Sequence, residues 1–173
     1  SETQIDKVKS LDDGGFIYAV PGDIKVYKTT VNELESENGM IFLSGHTSNI
    51  TVSDCKFTAV VARDSSSILY SVSNDKGKIL MQNSRISESK SWSNLFTLTH
   101  SKMIIRNSVM QRNFADYLNN GFTLTNSDLE CYSIKVDNKN DRDDVRQVDV
   151  GFFRLSQSST IKILDSEFSH IQG

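Results

Sequence analysis

Five aspartates crowd one stretch of the chain: Asp137, Asp141, Asp143, Asp144 and Asp149, between Val136 and Phe152. Clustered carboxylates on a loop are the oxygen-rich set a hard cation wants, since calcium takes about six to eight oxygen ligands. Asp141, Asp143, Asp144 and Asp149 are therefore the candidate metal set, with calcium the one ion they could hold. Lys139, Arg142 and Arg146 interleave with them, and a mixed-charge loop of this kind more commonly stays solvated. The expected cofactor complement is accordingly none. No Ser/His/Asp order and no glycine-rich phosphate loop accompanies the cluster, so no catalytic residue is assigned.

The histidines and cysteines need a spatial frame before they can be judged, and the sequence supplies one. A short phrase returns six times, with apolar or small residues at offsets +2, +3 and +2. It reads Ile24, Val26, Thr29, Val31; Ile50, Val52, Cys55, Phe57; and Ile79, Met81, Ser84, Ile86. It continues as Met103, Ile105, Ser108, Met110; Leu129, Cys131, Ile134, Val136; and Ile161, Ile163, Ser166, Phe168. The phrases recur at steps of 26, 29, 24, 26 and 32 residues, a period that means stacked coils, each burying its apolar face against its neighbours.

In that frame Cys55 and Cys131 are three levels apart, roughly 14 Å at the usual strand spacing. That is beyond the approximately 7 Å Cα limit for a disulfide, so two buried, inert thiols are expected. His46 and His100 are two levels apart, roughly 9–10 Å, too far to share a zinc ion at about 2.0–2.1 Å per bond. With His170 they read as surface or turn residues.

Period-two alternation within each phrase says strand, and the +3 offset says that one residue turns the chain. Asp54, Asn83, Asn107 and Asp165 hold that turning position, and Asn and Asp tolerate the left-handed conformation best after glycine. Lys28 and Ser133 hold it in the first and fifth units. A third apolar stretch precedes each phrase, as in Ile17 and Ala19, Ile41 and Leu43, Phe96 and Leu98, Phe122 and Leu124, Phe153 and Leu155. In the third unit, Ile68-Leu69-Tyr70-Ser71-Val72, either register fits. Three short strands per turn predict an all-β parallel β-helix of about six coils over residues 14–173. Ile5, Val8 and Leu11, three residues apart, predict a short amphipathic helix within residues 1–13 that caps the open end. No polar cap follows Phe168, which implies a longer solenoid or an end covered by a partner.

The run Gly14-Gly15-Phe16-Ile17-Tyr18 and the segment Asn49-Ile50-Thr51-Val52-Ser53-Asp54-Cys55-Lys56-Phe57 resemble right-handed β-helix repeats of the pectin-lyase-like superfamily. The nearest flavour is that of polymorphic-membrane-protein repeats. The resemblance implies a right-handed coil and a stacked Asn ladder at the tight turn, which Asn83 and Asn107 match. It also implies that carboxylates beside the first-strand face could bind calcium or cleave sugar polymers. Most of the asparagines that follow the phenylalanine in that repeat type are missing here: Phe57 leads to Val60 and Phe168 to Ile171.

The surface narrows the function further. The net charge of −3 argues against a general nucleic-acid binder, and the basic residues Arg85, Lys90, Lys102, Arg106 and Arg112 read as a solvated face. No apolar run is long enough to span a membrane. No leader is visible before Ser1, though an excised fragment would read the same, and the location is left open, leaning to extracellular or cell surface. Asn49-Ile50-Thr51 is the one glycosylation sequon. In the expected register Phe16, Tyr18, Met40, Phe42, Leu95 and Phe152 point outward from the first strands, and Leu80 and Ile104 from the second. Such a stripe is covered by the chain itself, bound by a partner protein or a second subunit, or used to stack glycans. The sequence therefore predicts a non-catalytic structural or protein-interaction module, with Phe16, Tyr18, Met40, Phe42 and Phe152 as the partner surface. The alternative is a carbohydrate-binding or polysaccharide-cleaving domain that uses the acidic loop.

Overall fold

The computed structural model describes residues 2–10, 15–19, 22–37, 41–45, 49–64, 66, 68–115, 120–138 and 152–171, with side chains for all of these except 18, 19, 41–45, 73–76, 114, 115 and 120. Every regular element among them is a strand. No helix among the described residues is long and apolar enough to cross a membrane.

The strands pair in parallel, like on like, into a solenoid with three faces. On the second face Ile24 lies beside Ile50, Ile50 beside Ile79, Ile79 beside Met103, Met103 beside Leu129, and Leu129 beside Ile161. On the third face the series runs Ile5, Val31, Phe57, Ile86, Met110, Val136, Phe168. On the first it runs Ile17, Ile41, Leu69, Phe96, Phe122, Phe153. The third face forms one sheet. The first and second share another, because Leu69–Gln82 and Asn94–Arg106 each run through the corner between them. Against the expected six coils, the solenoid amounts to about four turns. Four levels run unbroken through all three faces (68–92, 94–115, 120–138 and 152–171), and the earlier ones are interrupted by residues outside the description.

The interior is apolar and closely stacked. Phe57, Phe96, Phe122, Leu34, Ile50 and Ile86 are buried almost completely. Phe96 and Phe122 stack at 4.4 Å between ring centroids and 6° between planes, and Phe153 continues the column 5.5 Å from Phe122.

The corners are built from residues with positive φ. Among the described residues, fifteen non-glycine residues have φ between 46° and 58°, and all fifteen fall on three corners. Lys28, Asp54, Asn83, Asn107, Ser133 and Asp165 turn the chain from the second face to the third. Lys28 and Ser133 thus adopt the same conformation as the Asn and Asp residues. His100, Asn126 and Gln157 turn it from the first face to the second, and Lys7, Glu33, Ala59, Glu88, Arg112 and His170 bend it beyond the third. At the first of these corners Asn107 Nδ2 donates to Asn83 Oδ1 at 3.4 Å, and Asn83 Nδ2 to Asp54 Oδ1 at 3.2 Å, an exposed side-chain ladder.

One residue past the turn, a second device recurs. Ser84 Oγ accepts the Cys55 N–H, Ser108 Oγ the Ser84 N–H, and Ser166 Oγ the Ile134 N–H, each at 3.2 Å from the next level. Each hydroxyl donates back to the carbonyl two residues earlier, at 2.8 Å. At the corner after the first face, Ser127 and Ser159 accept from Ser101 and Ser127 at 3.0 and 3.2 Å. At the corner beyond the third face, asparagine takes over: Asn113 Oδ1 accepts the Ser89 N–H at 3.0 Å, and Asn138 Oδ1 the Asn113 N–H at 3.1 Å. A buried amide without a partner costs about 1–3 kcal/mol, so these side chains let the chain turn without that loss.

Within residues 1–13, where an N-terminal helix is expected, the described residues form a strand, and Leu11 lies outside the described residues. Thr3–Lys9 is a strand that pairs with Thr29–Ser36, placing Ile5 on Val31 and Val8 on Leu34. The three-residue spacing of Ile5 and Val8 is that of Val31 and Leu34 around a positive-φ residue, Lys7 in one level and Glu33 in the next. A turning strand puts both apolar residues inward just as a helix would.

Two substitutions of opposite sign test the corners. Lys28→Gly relieves a left-handed conformation that costs an L-residue about 1–2 kcal/mol, less about 0.5–1 kcal/mol of glycine chain entropy. The expected gain is roughly 0.5–1 kcal/mol, a rise of about 1–4 °C in Tm. Ser108→Ala strands the Ser84 N–H and is expected to lower stability by about 1–3 kcal/mol in urea titration. A Ser108→Ala protein as stable as the parent would show that the relay contributes nothing.

Candidate interaction surfaces

The register redistributes the apolar residues expected on the first face. Ile68, Leu95, Gly121 and Phe152 share one position, just before the inward strand residue, and all are buried. Phe152 is only 8% exposed, and its ring meets Phe122, Phe153 and Phe168 edge-on at 5.7, 5.0 and 5.9 Å. Phe152 and Leu95 are therefore core residues, contrary to the expectation that they point outward. The corner entering the first face turns two consecutive residues inward, so strict alternation fails there. Gly121 completes the packing: a Cβ at that position would lie 2.2 Å from the Phe152 ring. Phe16, at the same position, is half-buried and packs against the core. Met40 lies outside the described residues.

The outward column of the first face is a different set. Tyr18 pairs with Phe42, Phe42 with Tyr70, Tyr70 with Thr97, Thr97 with Thr123, and Thr123 with Arg154. Tyr70, Thr97 and Thr123 are half-buried and Arg154 is exposed, whereas the positions flanking Tyr70, Thr97 and Thr123 are buried. Tyr70 thus holds the outward position at its level, and the register aligns Phe42 and Tyr18 with it at the two preceding levels. Tyr70 joined no expected surface, because the third unit had no determined register; the pairing of Leu69 with Phe96 supplies it.

The remaining candidates separate. Asp141, Asp143, Asp144 and Asp149 lie outside the described residues, as does His46. Among the described residues no group of three or more His, Cys, Asp or Glu is placed to hold a metal. Asp137 Oδ1 lies 2.8 Å from His170 Nδ1 across adjacent levels. The basic residues do not form one face. Arg85 and Arg112 belong to the third face and its far corner, where Arg85 bonds Gln111 and Arg112 pairs with Glu88. Lys102 and Arg106 belong to the second face.

Along the third face and its far corner, several cations meet carboxylates of the neighbouring level, while Lys56 lies beside Arg85. Lys7 meets Glu33 at 3.8 Å, Lys9 meets Glu35 at 3.6 Å, Lys135 meets Glu167 at 3.2 Å, and Arg63 pairs with Glu35. Hydrogen bonding from Arg63 holds the Glu35 carboxyl below its usual range. A groove of about 460 Å³ runs over Val8 and Leu34 between these pairs. Its rim charges neutralise each other.

Both cysteines are free and buried. Cys55 takes a serine's place in the corner relay, its Sγ 3.2 Å from the Ser53 carbonyl. Burial pushes the Cys131 thiol up from 9.0 to about 12, and burial likewise raises that of Cys55.

No family model, curated protein or solved structure matches the chain.

Two measurements follow. The neutral Cys131 thiol stabilises the fold below the unfolded value near 9.0 and loses that contribution as pH rises towards about 12. Unfolding midpoints should therefore fall between those pH values, and fall less in Cys131→Val. Phe152→Ala should cost about 3–5 kcal/mol, as core phenylalanine truncations do; a loss under 1 kcal/mol in chemical denaturation would mark a surface ring.

Proposed function

We propose that this chain is a non-catalytic β-solenoid module of the pectin-lyase-like kind, whose rigid outer face presents side chains to partner proteins. The observation that carries the reading is the first-face column Tyr18, Phe42 and Tyr70, held in register over three levels. Strands lie about 4.8 Å apart in such a stack, so the column is a narrow aromatic strip on a scaffold that cannot collapse around it. Aromatic residues on a rigid support are favoured contact anchors, because they bury large area and lose few rotamers on binding. The positive-φ ladder of Asp54, Asn83 and Asn107 supports the superfamily assignment, as does the repeated glycine–apolar start of the first strands.

The test is the double variant Phe42→Ser/Tyr70→Ser, with far-UV circular dichroism to confirm that the β-solenoid is retained. Proteins that the parent chain retains from extracts of its own source should bind the variant at least tenfold more weakly. Equal retention would end the first-face reading. Release of unsaturated or reducing sugar from a polyuronide, abolished by Asp143→Ala, would replace the module with an enzyme.

A further inference from the structure

We infer that the second face is a separate docking surface for an acidic, extended segment of a partner protein. Its apolar side chain would rest on Leu80 and Ile104, with its carboxylates over Lys78 and Lys102 at one end and Arg106 and Lys162 at the other. The register sets Lys78 beside Lys102 and Leu80 beside Ile104, with Arg106 beside Tyr132 in the next level. Leu80 and Ile104 are half-buried, and Lys78, Arg106 and Lys162 are exposed.

The charges on this face are arranged unlike those on the third. There Lys7, Lys9, Arg63, Arg112 and Lys135 each meet a carboxylate from a neighbouring level, and the one like-charged pair among the described residues, Lys56 beside Arg85, flanks the polar Thr58 and Ser87 instead of an apolar pair. Here Lys78 stacks on Lys102, and like charges directly opposite on adjacent strands repel. Glu130 relieves Lys102 alone, at 2.6 Å. The Tyr132 hydroxyl donates to the same Glu130 carboxylate at 2.7 Å, so that anion is already engaged twice. Hydrogen bonding from Lys102 and then from Tyr132 keeps the Glu130 carboxyl below its usual range.

The Tyr132 ring holds two more cations without neutralising them. The Arg106 guanidinium lies 5.3 Å from its centroid and the Lys162 ammonium 5.4 Å. Attraction to the ring face positions both, and neither closes an ion pair among the described residues, although Glu130 stands beside Lys162 in the register. Among the described residues no carboxylate forms an ion pair with Lys78, Arg106 or Lys162. Lys78, Lys102 and Arg106 therefore flank the apolar pair, and the Lys162 ammonium leans over Tyr132 from the level beyond Glu130, on a chain whose net charge is −3.

Spacing selects the occupant. Lys102 and Arg106 are four residues apart on one extended strand, with Ile104 between them, a span of about 13 Å. An extended peptide of pattern acid–x–apolar–x–acid has the same period and the same span. A continuous phosphate backbone fits less well: it would carry charge over the apolar centre of Leu80 and Ile104, which offers no polar partner, whereas the peptide carries charge only at its two ends.

The experiment is an NMR titration of the 15N-labelled chain at low salt with the synthetic peptide acetyl-Glu-Ser-Leu-Ser-Glu-amide. The expected result is saturable shifts confined to residues 78–82, 102–106, 128–132 and 162. Binding should weaken at least tenfold in Lys78→Glu/Arg106→Glu, whereas Lys56→Glu/Arg85→Glu on the third face should bind like the parent. Should the charge reversals disturb the spectrum as a whole, Lys78→Gln/Lys162→Gln carries the same comparison. Any of four results overturns the proposal: no saturable shift, equal binding by the Lys-Ser-Leu-Ser-Lys counterpart, unchanged affinity in the second-face variants, or an oligothymidylate that binds this face more tightly. This surface does not depend on the first-face column, so Phe42→Ser/Tyr70→Ser should leave the titration unchanged and either reading can fail alone.

Discussion

A parallel solenoid can exist only if its backbone keeps every amide bonded while it turns three times per level. Along the straight strands the next level supplies the acceptors. At the corners the rung pattern is interrupted, and in this chain a side-chain oxygen from the level above takes over. Ser84, Ser108 and Ser166 do so on one edge, Ser127 and Ser159 on another, and Asn113 and Asn138 on the third. The rest of the structure depends on that substitution, because it allows a corner of one left-handed residue and hence short, flat faces between corners.

That device also fixes which residues share a level. Hydrophobic stacking alone is tolerant, since Ile, Met, Leu, Val and Phe replace one another along each interior column. A hydroxyl that must both accept from one amide and donate to one carbonyl is far less tolerant of a shift. Cys55 and Ile134 occupy the serine column without an oxygen, and both still receive a serine's bond through their own N–H. The apolar columns thus supply most of the burial, and the polar edges set the register.

With the register set, the outer faces become fixed lattices of side chains, and their differences carry the functional argument. The third face and its far corner pair several cations with carboxylates of the neighbouring level, Lys56 beside Arg85 excepted. The first sets Tyr18, Phe42 and Tyr70 at one register position over its early levels. The second gathers cations around Leu80, Ile104 and Tyr132, of which Lys102 is paired with Glu130. Rigid presentation of such patterns is what a solenoid offers a partner, since the surface changes little when it binds.

The sequence by itself determined the parallel stacking, the level boundaries and the burial of both cysteines, because inward positions of a strand recur with period two and the corner adds a constant third step. It also held the corner relay, in the pairs Asn83-Ser84, Asn107-Ser108, Asn126-Ser127 and Asp165-Ser166, though nothing in composition says that the serine reaches across levels. Only the tertiary structure decided which apolar residues face out. At the entry to the first face two adjacent residues turn inward, so alternation assigned Leu95 and Phe152 to the surface and missed Tyr70. The strand Thr3–Lys9 was hidden for the same reason: around a positive-φ residue a turning strand carries the three-residue spacing of a helix, and only its partner, Thr29–Ser36, distinguishes the two.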